Sequence, residues 1–163
     1  MAFYLAPMYF ANSSAMLLGG KTRLDFGLKL HDAQPLFGKG KSVRGTVGGI
    51  AVGTTVGLLL WRVFPSEVLA FFPQYAMLSF MLAAGAIFGD IVGSFLKRRM
   101  GVEPGTEAPF LDQLDFVAGG ILLSMTVYAP SFAEVVFVSV LTLFVHRFSN
   151  FVAYKLELKK VPW

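Results

Sequence analysis

Five long apolar segments limit how this chain can fold more than any other feature. They cover about residues 2–18, 47–64, 75–96, 113–129 and 132–152, and each approaches the roughly 20 residues that a helix needs to cross a bilayer. A mean hydropathy of +0.64 and a charged fraction of 15% are atypical of soluble domains, in which about a quarter of the residues are charged. The sequence therefore predicts an all-α, polytopic membrane protein, in which residues 1–163 form a single integral domain with a bundle of five transmembrane helices.

The distribution of Lys and Arg predicts the orientation of this bundle. With five spans, all but one of the 14 Lys and Arg residues fall on one side, and Arg62 alone falls on the other. Because cytoplasmic loops carry an excess of these residues, the N-terminus is expected outside and the C-terminus in the cytoplasm. Cytoplasmic loops are then expected at 21–46 and 97–112, in a protein of the cell membrane. No cation precedes Lys21, so the first segment is interpreted as a retained helix rather than a signal peptide.

Glycines recur every four residues in two of the segments. They are Gly49, Gly53 and Gly57 in the second segment, and Gly85, Gly89 and Gly93 in the third. This spacing puts small residues on one face of a helix, where two backbones can approach closely. The pattern leaves two interpretations open: packing within the bundle, or a homodimer through the glycine-faced helices.

Three carboxylates are expected near the cytoplasmic face. Asp90 lies about 10 Å along its helix from Lys97, and a charge at such a depth usually faces the bundle interior with a partner. Asp112 and Asp115 are spaced to project from one side of the next helix start. Three oxygen ligands suit Mg²⁺, with substrate phosphates completing its coordination. The alternatives are a salt bridge from Asp90 to Lys97 or to a loop cation, and a capping or dipole role for Asp112.

The first loop carries the opposite charge, in the stretch FGKGKSVRGTVGG at residues 37–49. Its glycines free the backbone to approach a ligand, and three cations can donate to phosphate oxygens: Lys39, Lys41 and Arg44. The alternative is a basic loop that sets topology on anionic headgroups. Asp25 and Asp32 are interpreted as residues that order this loop, with Asp32 also a candidate for a nucleotide site. The chain has no cysteine, and its two histidines are far apart in sequence, so zinc is not expected.

The order of these motifs resembles that of the CTP-dependent phosphatidate cytidylyltransferases, and most closely their small archaeal branch, the CDP-archaeol synthases. The family's S-x-x-K-R run and D-x-x-D pair correspond to Ser94–Arg98 and Asp112–Asp115. GKSVRG, residues 40–45, stands where the larger enzymes have Gly-Lys-Thr-x-Glu-Gly. Arg44 departs from their glutamate but suits the archaeal branch, as do the stretches LDFGLKLHD and AYKLELKKVPW. The loop lacks the His-Gly-Gly of the larger enzymes, and Gln113 stands where they have arginine.

The resemblance implies a Mg²⁺-dependent enzyme that transfers CMP from CTP to an isoprenoid ether lipid phosphate, unsaturated archaetidic acid, forming CDP-archaeol and pyrophosphate. Catalytic residues are then Asp90, Asp112, Asp115 and Lys97, with the three acids as metal ligands. CTP or lipid phosphate is expected to bind Lys39, Lys41, Ser42, Arg44, Ser94, Lys97 and Arg98. Asn12, His146 and Asn150 are further binding candidates, for which a helix-packing contact is the alternative.

Two other functions remain open. One is the same chemistry on ester-linked phosphatidic acid, by a CDP-diacylglycerol synthase. The other, of a different class, is a non-enzymatic lipid-binding or scaffold membrane protein whose basic loops only bind headgroups. A transporter is disfavoured because no charge lies near the middle of any segment. No nucleic-acid partner is expected, because topology accounts for the net charge of +4.

Overall fold

The computed structural model of the chain describes residues 1–103, 106 and 108–155, except for the side chains at 149, 150, 152 and 153. Within this part the chain is all-helical, which confirms the all-α part of the predicted fold. The helices are α1 (Ala2–Leu17), α2 (Val43–Val63), α3 (Pro65–Phe71), α4 (Tyr75–Arg99), α5 (Leu111–Ser124) and α6 (Phe132–Lys155).

Each predicted span overlaps one of the longer helices, but most of the bounds differ by one to five residues. Helix α5 ends at Ser124 rather than at residue 129, so its 14 residues extend only about 21 Å, less than the hydrocarbon core of about 30 Å. The short helix α3 was not predicted, although Pro65 at its first positions is a recognised helix start. By length and composition, α2 and α4 are long and apolar enough to cross a membrane.

Both glycine series pack helices within the chain. A Cβ at Gly49 or Gly53 would collide with the backbone of α1 and with side chains of α4, while one at Gly85 or Gly89 would collide with the backbone of α5. These glycines are buried. The intramolecular interpretation is therefore confirmed. The alternative, a homodimer through the same faces, is not supported, because α1, α4 and α5 already cover them.

Aromatic side chains hold together the end of the bundle where α1 and α4 begin and α5 ends. The Tyr4 hydroxyl shares a hydrogen bond of 2.6 Å with Ser124 Oγ, and the Tyr75 hydroxyl donates to the carbonyl of Phe3 at 2.6 Å. The Phe72 ring lies edge-on to Tyr128, with centroids 4.9 Å apart. Every partner at these contacts is neutral. We call this the aromatic end.

At the opposite end, residues 18–42 fold back on themselves as a loop. Hydrogen bonds of 2.9 Å from Leu24 N to the carbonyl of Lys41, and of 3.0 Å from Leu36 N to the carbonyl of Leu28, join its two arms. Ser42 closes the loop as the N-cap of α2, because its Oγ accepts from the amides of Gly20 and Gly45 at 3.0 Å each. The loop therefore begins at the C-terminal end of α1 and ends at the N-terminal end of α2. We call this the loop end.

Candidate active site

Asp90 meets a lysine of the loop. Lys41 Nζ lies 2.5 Å from Asp90 Oδ2, and the two side chains are 22% and 20% exposed. The structure thus shows the loop-cation alternative, whereas the metal-ligand role of Asp90 stays a prediction. The contact joins residues 49 positions apart in the chain, so it ties the loop to the interior of α4.

Asp112 makes the second ion pair of the loop end. Its Oδ1 accepts from Lys97 Nζ on α4, and its Oδ2 accepts from the amide of Ala108 at 2.9 Å. The helix α5 begins one residue earlier, and its N-cap position, Phe110, makes no side-chain cap. Asp112 therefore orders the approach to α5 and fixes α5 on α4 at the same time.

Asp115 lies against a glycine of α4. A Cβ at Gly93 would overlap the Asp115 carboxylate, and one at Gly89 would overlap the Asp115 carbonyl. Asp90, Lys41 and Asp112 all lie close enough to Asp115 for their charges to interact with its carboxyl group. The structure thus gathers the three predicted acids in one region, although they come from two helices.

Mg²⁺ fits the chemistry of these donors, because carboxylate oxygens are its preferred protein ligands. Their arrangement is less specific. No three His, Asp or Glu side chains within the described ranges are grouped so that they could hold a metal ion. Asp90 and Asp112 instead form ion pairs with the ammonium groups of Lys41 and Lys97. Asp115 takes part in none of the ion pairs formed by the described residues.

Arg98 is a buried cation at the loop end, next to Lys97 on α4. Its side chain is 4% exposed, and its Nε and Nη1 have no hydrogen-bond partner among the described residues. A buried donor without a partner is unfavourable unless another group binds it. The guanidinium approaches Gly38 of the loop, where an added Cβ would lie 3.8 Å from Arg98 Cδ and Nε. Its predicted role as a phosphate ligand agrees with this surplus of donors.

Arg99, the next residue, has no partner for its buried Nε among the described residues, but its other two nitrogens are bound. Its Nη1 lies 2.9 Å from Asp32 Oδ2, its Nη2 donates to the carbonyl of Pro35 at 2.8 Å, and its guanidinium stacks on Phe95. Sequence analysis gave Arg99 no role in the site. Since both polar partners belong to the loop, Arg99 fastens the loop to the end of α4.

The remaining candidates differ in their surroundings. Lys39 and Arg44 are exposed, and Ser94 is buried on α4 one turn before Arg98. Ser42 has the structural role of an N-cap described above. Asn12 and His146 are half-buried on α1 and α6, and the side chain of Asn150 lies outside the described part of the chain. Ligand binding by all seven stays a prediction.

Asp25 is the ordering residue of the loop, as interpreted from the sequence. Burial alone would raise the pKa of this carboxyl, but backbone hydrogen bonds from Gly27, Phe37 and Gly38, together with the charge of Arg23, hold its pKa below the ordinary value. The Asp-Phe-Gly sequence is typical of a local turn in which the aspartate side chain accepts a hydrogen bond from the backbone amide two residues later. No local signal points to its bonds with Phe37 and Gly38.

An apolar groove runs between α4 and α5 beside Asp115. Its volume is about 350 Å³, and apart from Asp115 its lining consists of glycines and apolar side chains, among them Phe88, Val92 and Leu122. Such a groove can hold hydrocarbon, with the Asp115 carboxylate as the charged group in its lining.

Comparisons with known proteins show similarity to one family. The model of the family described as CarS-like, CDP-archaeol synthase, matches residues 1–163. The chain is 41% identical to the CDP-archaeol synthase of Pyrococcus furiosus, over 99% of this chain and 95% of that protein. It is 44% identical to that of Methanopyrus kandleri, over 99% and 91%. A solved structure, described as an intramembrane enzyme for archaeal membrane lipid biosynthesis, superposes with a TM-score of 0.83 at 33% identity, over 91% of each chain.

Proposed function

The chain belongs to the CarS-like CDP-archaeol synthase family, and we propose that it transfers CMP from CTP to an isoprenoid ether lipid phosphate, forming CDP-archaeol and pyrophosphate. One observation carries the proposal beyond the family match over residues 1–163. At one end of an apolar bundle, acids of α4 and α5 lie beside cations of α4 and of the loop. The two substrates are polyanions, so this is the charge pattern that their encounter requires.

The reaction joins the lipid phosphate to the α-phosphorus of CTP. An oxygen of the lipid phosphate forms the new P–O bond, the bond between the α-phosphorus and its bridging oxygen to the β-phosphate breaks, and pyrophosphate leaves with that electron pair. No general base is needed, because the second ionisation of a phosphate monoester has a pKa of about 6. By analogy with phosphoryl transfer, catalysis is then mainly positioning and neutralisation of charge.

Five cations supply this neutralisation. Arg98 is the strongest candidate for the triphosphate, because its buried donors already lack partners. Lys41 and Lys97 would bind phosphate oxygens from their positions beside the acids, and the exposed Lys39 and Arg44 would contribute charge from the loop and the start of α2. Asp90, Asp112 and Asp115 would hold Mg²⁺, which when bound lowers the negative charge of the triphosphate.

The lipid would reach this site from the bilayer. The groove between α4 and α5 is apolar along its length and has Asp115 in its lining, so an isoprenoid tail placed there would bring the lipid phosphate to the loop end. This arrangement goes with the topology of five spans, an external N-terminus and cytoplasmic loops. The apolar helices α2 and α4 support it, as do the many Lys and Arg residues at the loop end.

The direct test supplies detergent-solubilised protein with radiolabelled CTP, Mg²⁺ and a lipid phosphate. We expect a labelled CDP-lipid and one pyrophosphate per lipid formed. Ether-linked and ester-linked lipid phosphates offered together distinguish an archaeol-type enzyme from a CDP-diacylglycerol synthase. A protein that binds the lipid but releases no pyrophosphate would be a scaffold, and the proposal would be wrong.

A further inference from the structure

Asp25 collects three backbone amides from both arms of the loop. Its Oδ1 accepts from Gly27 N at 2.9 Å, and its Oδ2 accepts from Phe37 N at 3.2 Å and from Gly38 N at 3.1 Å. The residue is only 2% exposed, so hydrogen bonds to an ionised acceptor operate here largely out of water, where they are strong. The carboxylate therefore fixes the position of residues 37 and 38 relative to residues 25–27.

The backbone conformations around this carboxylate depend on it. Gly27 has φ +82° and Gly38 has φ +94°, values in the left-handed region that glycine adopts at little steric cost. These turns aim the two glycine amides at one side chain. Without an acceptor at position 25, three buried or half-buried amides would lose their partner at once.

The segment that Asp25 holds carries the two cation contacts of the site. Gly38 lies against the guanidinium of Arg98, and Lys41 reaches Asp90 only three residues later. The backbone beside Asp25 adds a second tie, because Leu24 N donates to the carbonyl of Lys41 at 2.9 Å. Residues 37–41 thus approach α4 along a path that Asp25 sets from behind.

We propose that Asp25 is a positioning residue for triphosphate binding: it touches no substrate, and it holds segment 37–41 so that Lys41 and Arg98 lie at the separation that the phosphates of CTP require. This inference rests on the proposed function and deepens it. Asp32 provides the natural comparison, because it lies on the same loop but accepts only one backbone amide and sits at the surface.

The test compares Asp25→Asn with Asp32→Asn in steady-state CMP transfer. The Asp25 variant keeps the side-chain volume but loses the charge and one acceptor. We expect KM for CTP to rise about tenfold or more with kcat nearly unchanged and KM for the lipid phosphate unaffected, which is the pattern of lost ground-state binding. The Asp32 variant should change KM for CTP less, and Glu67→Gln at the aromatic end should change nothing.

A second readout does not use activity. Trypsin cleaves after Lys39 and Lys41 only when the segment opens, so Asp25→Asn should be cut there faster than the wild type while the rest of the chain stays intact. A normal KM for CTP would overturn the proposal. So would a fall in kcat accompanied by an equal rise in KM for both substrates. If the wild type transfers no CMP, the proposed function fails, and unchanged cleavage after Lys39 and Lys41 would then overturn the positioning role separately.

Should Asp25→Asn fail to fold, Gly38→Ala addresses the same segment. An alanine at φ +94° is strained, although its Cβ would meet Arg98 only at an ordinary contact distance. We expect the same selective rise in KM for CTP. Wild-type kinetics in this variant would show that the placement of segment 37–41 does not govern binding, and the inference would be wrong.

Discussion

The two ends of the bundle are built from different interactions. At the aromatic end, the hydroxyl groups of Tyr4 and Tyr75 have neutral partners, the hydroxyl of Tyr128 donates to Glu134, and rings fill the space between α1, α4 and α5. At the loop end, half-buried ion pairs join a loop to α4 and α4 to α5, and Arg98 is buried with donors that no described residue accepts. Buried charges contribute little net stability because they are desolvated. The aromatic end thus contributes to the stability of the fold, whereas the loop end holds charged groups that the proposed binding of two polyanions would use.

The largest effect on activity is expected for the variant Asp115→Asn at the loop end. We expect CMP transfer to fall by about a hundredfold or more, since even residues that only support a metal ligand are worth about ten- to a hundredfold. The unfolding temperature should not fall, because the substitution removes a half-buried carboxylate outside the observed ion pairs. Rates with varied Mg²⁺ and thermal unfolding measure the two effects, with Glu67→Gln as the control. A folded variant that retains normal Mg²⁺-dependent transfer would contradict the metal assignment.

The next largest effect separates two neighbouring arginines. Arg98→Met should raise KM for CTP by roughly tenfold, the equivalent of about 1.4 kcal/mol, while the unfolding temperature stays the same or rises, because an unpartnered buried cation is replaced by an apolar chain. Arg99→Met should instead lower the unfolding temperature and raise KM for CTP less than Arg98→Met does, since it removes the contacts to Asp32 and Pro35 that fasten the loop. CTP titration and thermal unfolding of both variants decide the matter. Equal behaviour of the two would remove the distinction between them.

A smaller effect is expected at the aromatic end. Tyr4→Phe deletes the hydrogen bond to Ser124 and should lower the free energy of unfolding by about 1 kcal/mol, without altering kcat or KM. Tyr154→Phe, at an exposed position of α6, is the matched control and should leave stability unchanged. Chemical unfolding in detergent measures both. A loss of activity in Tyr4→Phe without a loss of stability would mean that the aromatic end takes part in function.

The smallest effect is a dependence of stability on pH. Because the folded-state pKa of Asp25 is depressed, its contribution to stability is fully present above the unfolded-state value of about 3.9 and is lost as the pH falls through the folded value. Wild type should therefore be more stable than Asp25→Asn near neutral pH, and the gap should narrow on acidification below about pH 4. Thermal unfolding across that range tests this, and a gap independent of pH would contradict it.

Much of the fold was predictable because apolar length and glycine spacing are local signals. The apolar segments located the longer helices, and the period of four at Gly49–Gly57 and Gly85–Gly93 identified the buried faces. The early end of α5 was not predictable from hydropathy, since residues 125–129 remain mostly apolar after the helix stops. Helix α3 had a usable signal, Pro65 followed by Glu67 in the first turn, which a search for long spans passes over.

The sequence predicted that the three acids lie near one another, but it did not predict their ion pairs. Charge and spacing identified Asp90, Asp112 and Asp115, yet nothing local indicates that Lys41 would reach Asp90 from 49 residues away. The same holds for Asp25, whose turn with Gly27 is local while its bonds to Phe37 and Gly38 depend on how the loop closes. Contacts between distant segments follow from tertiary packing, which a single sequence does not encode in any short pattern.

The glycines of α4 bear on where α5 lies along it. Residues 85, 89 and 93 meet different atoms of α5: the carbonyl of Gly119, the carbonyl of Asp115 and the carboxylate of Asp115. The ion pair between Lys97 and Asp112 and the hydrogen bond between Tyr4 and Ser124 restrain α5 near its two ends. A contact of little energetic weight thereby helps to hold the register in which Asp115 lies near Asp90.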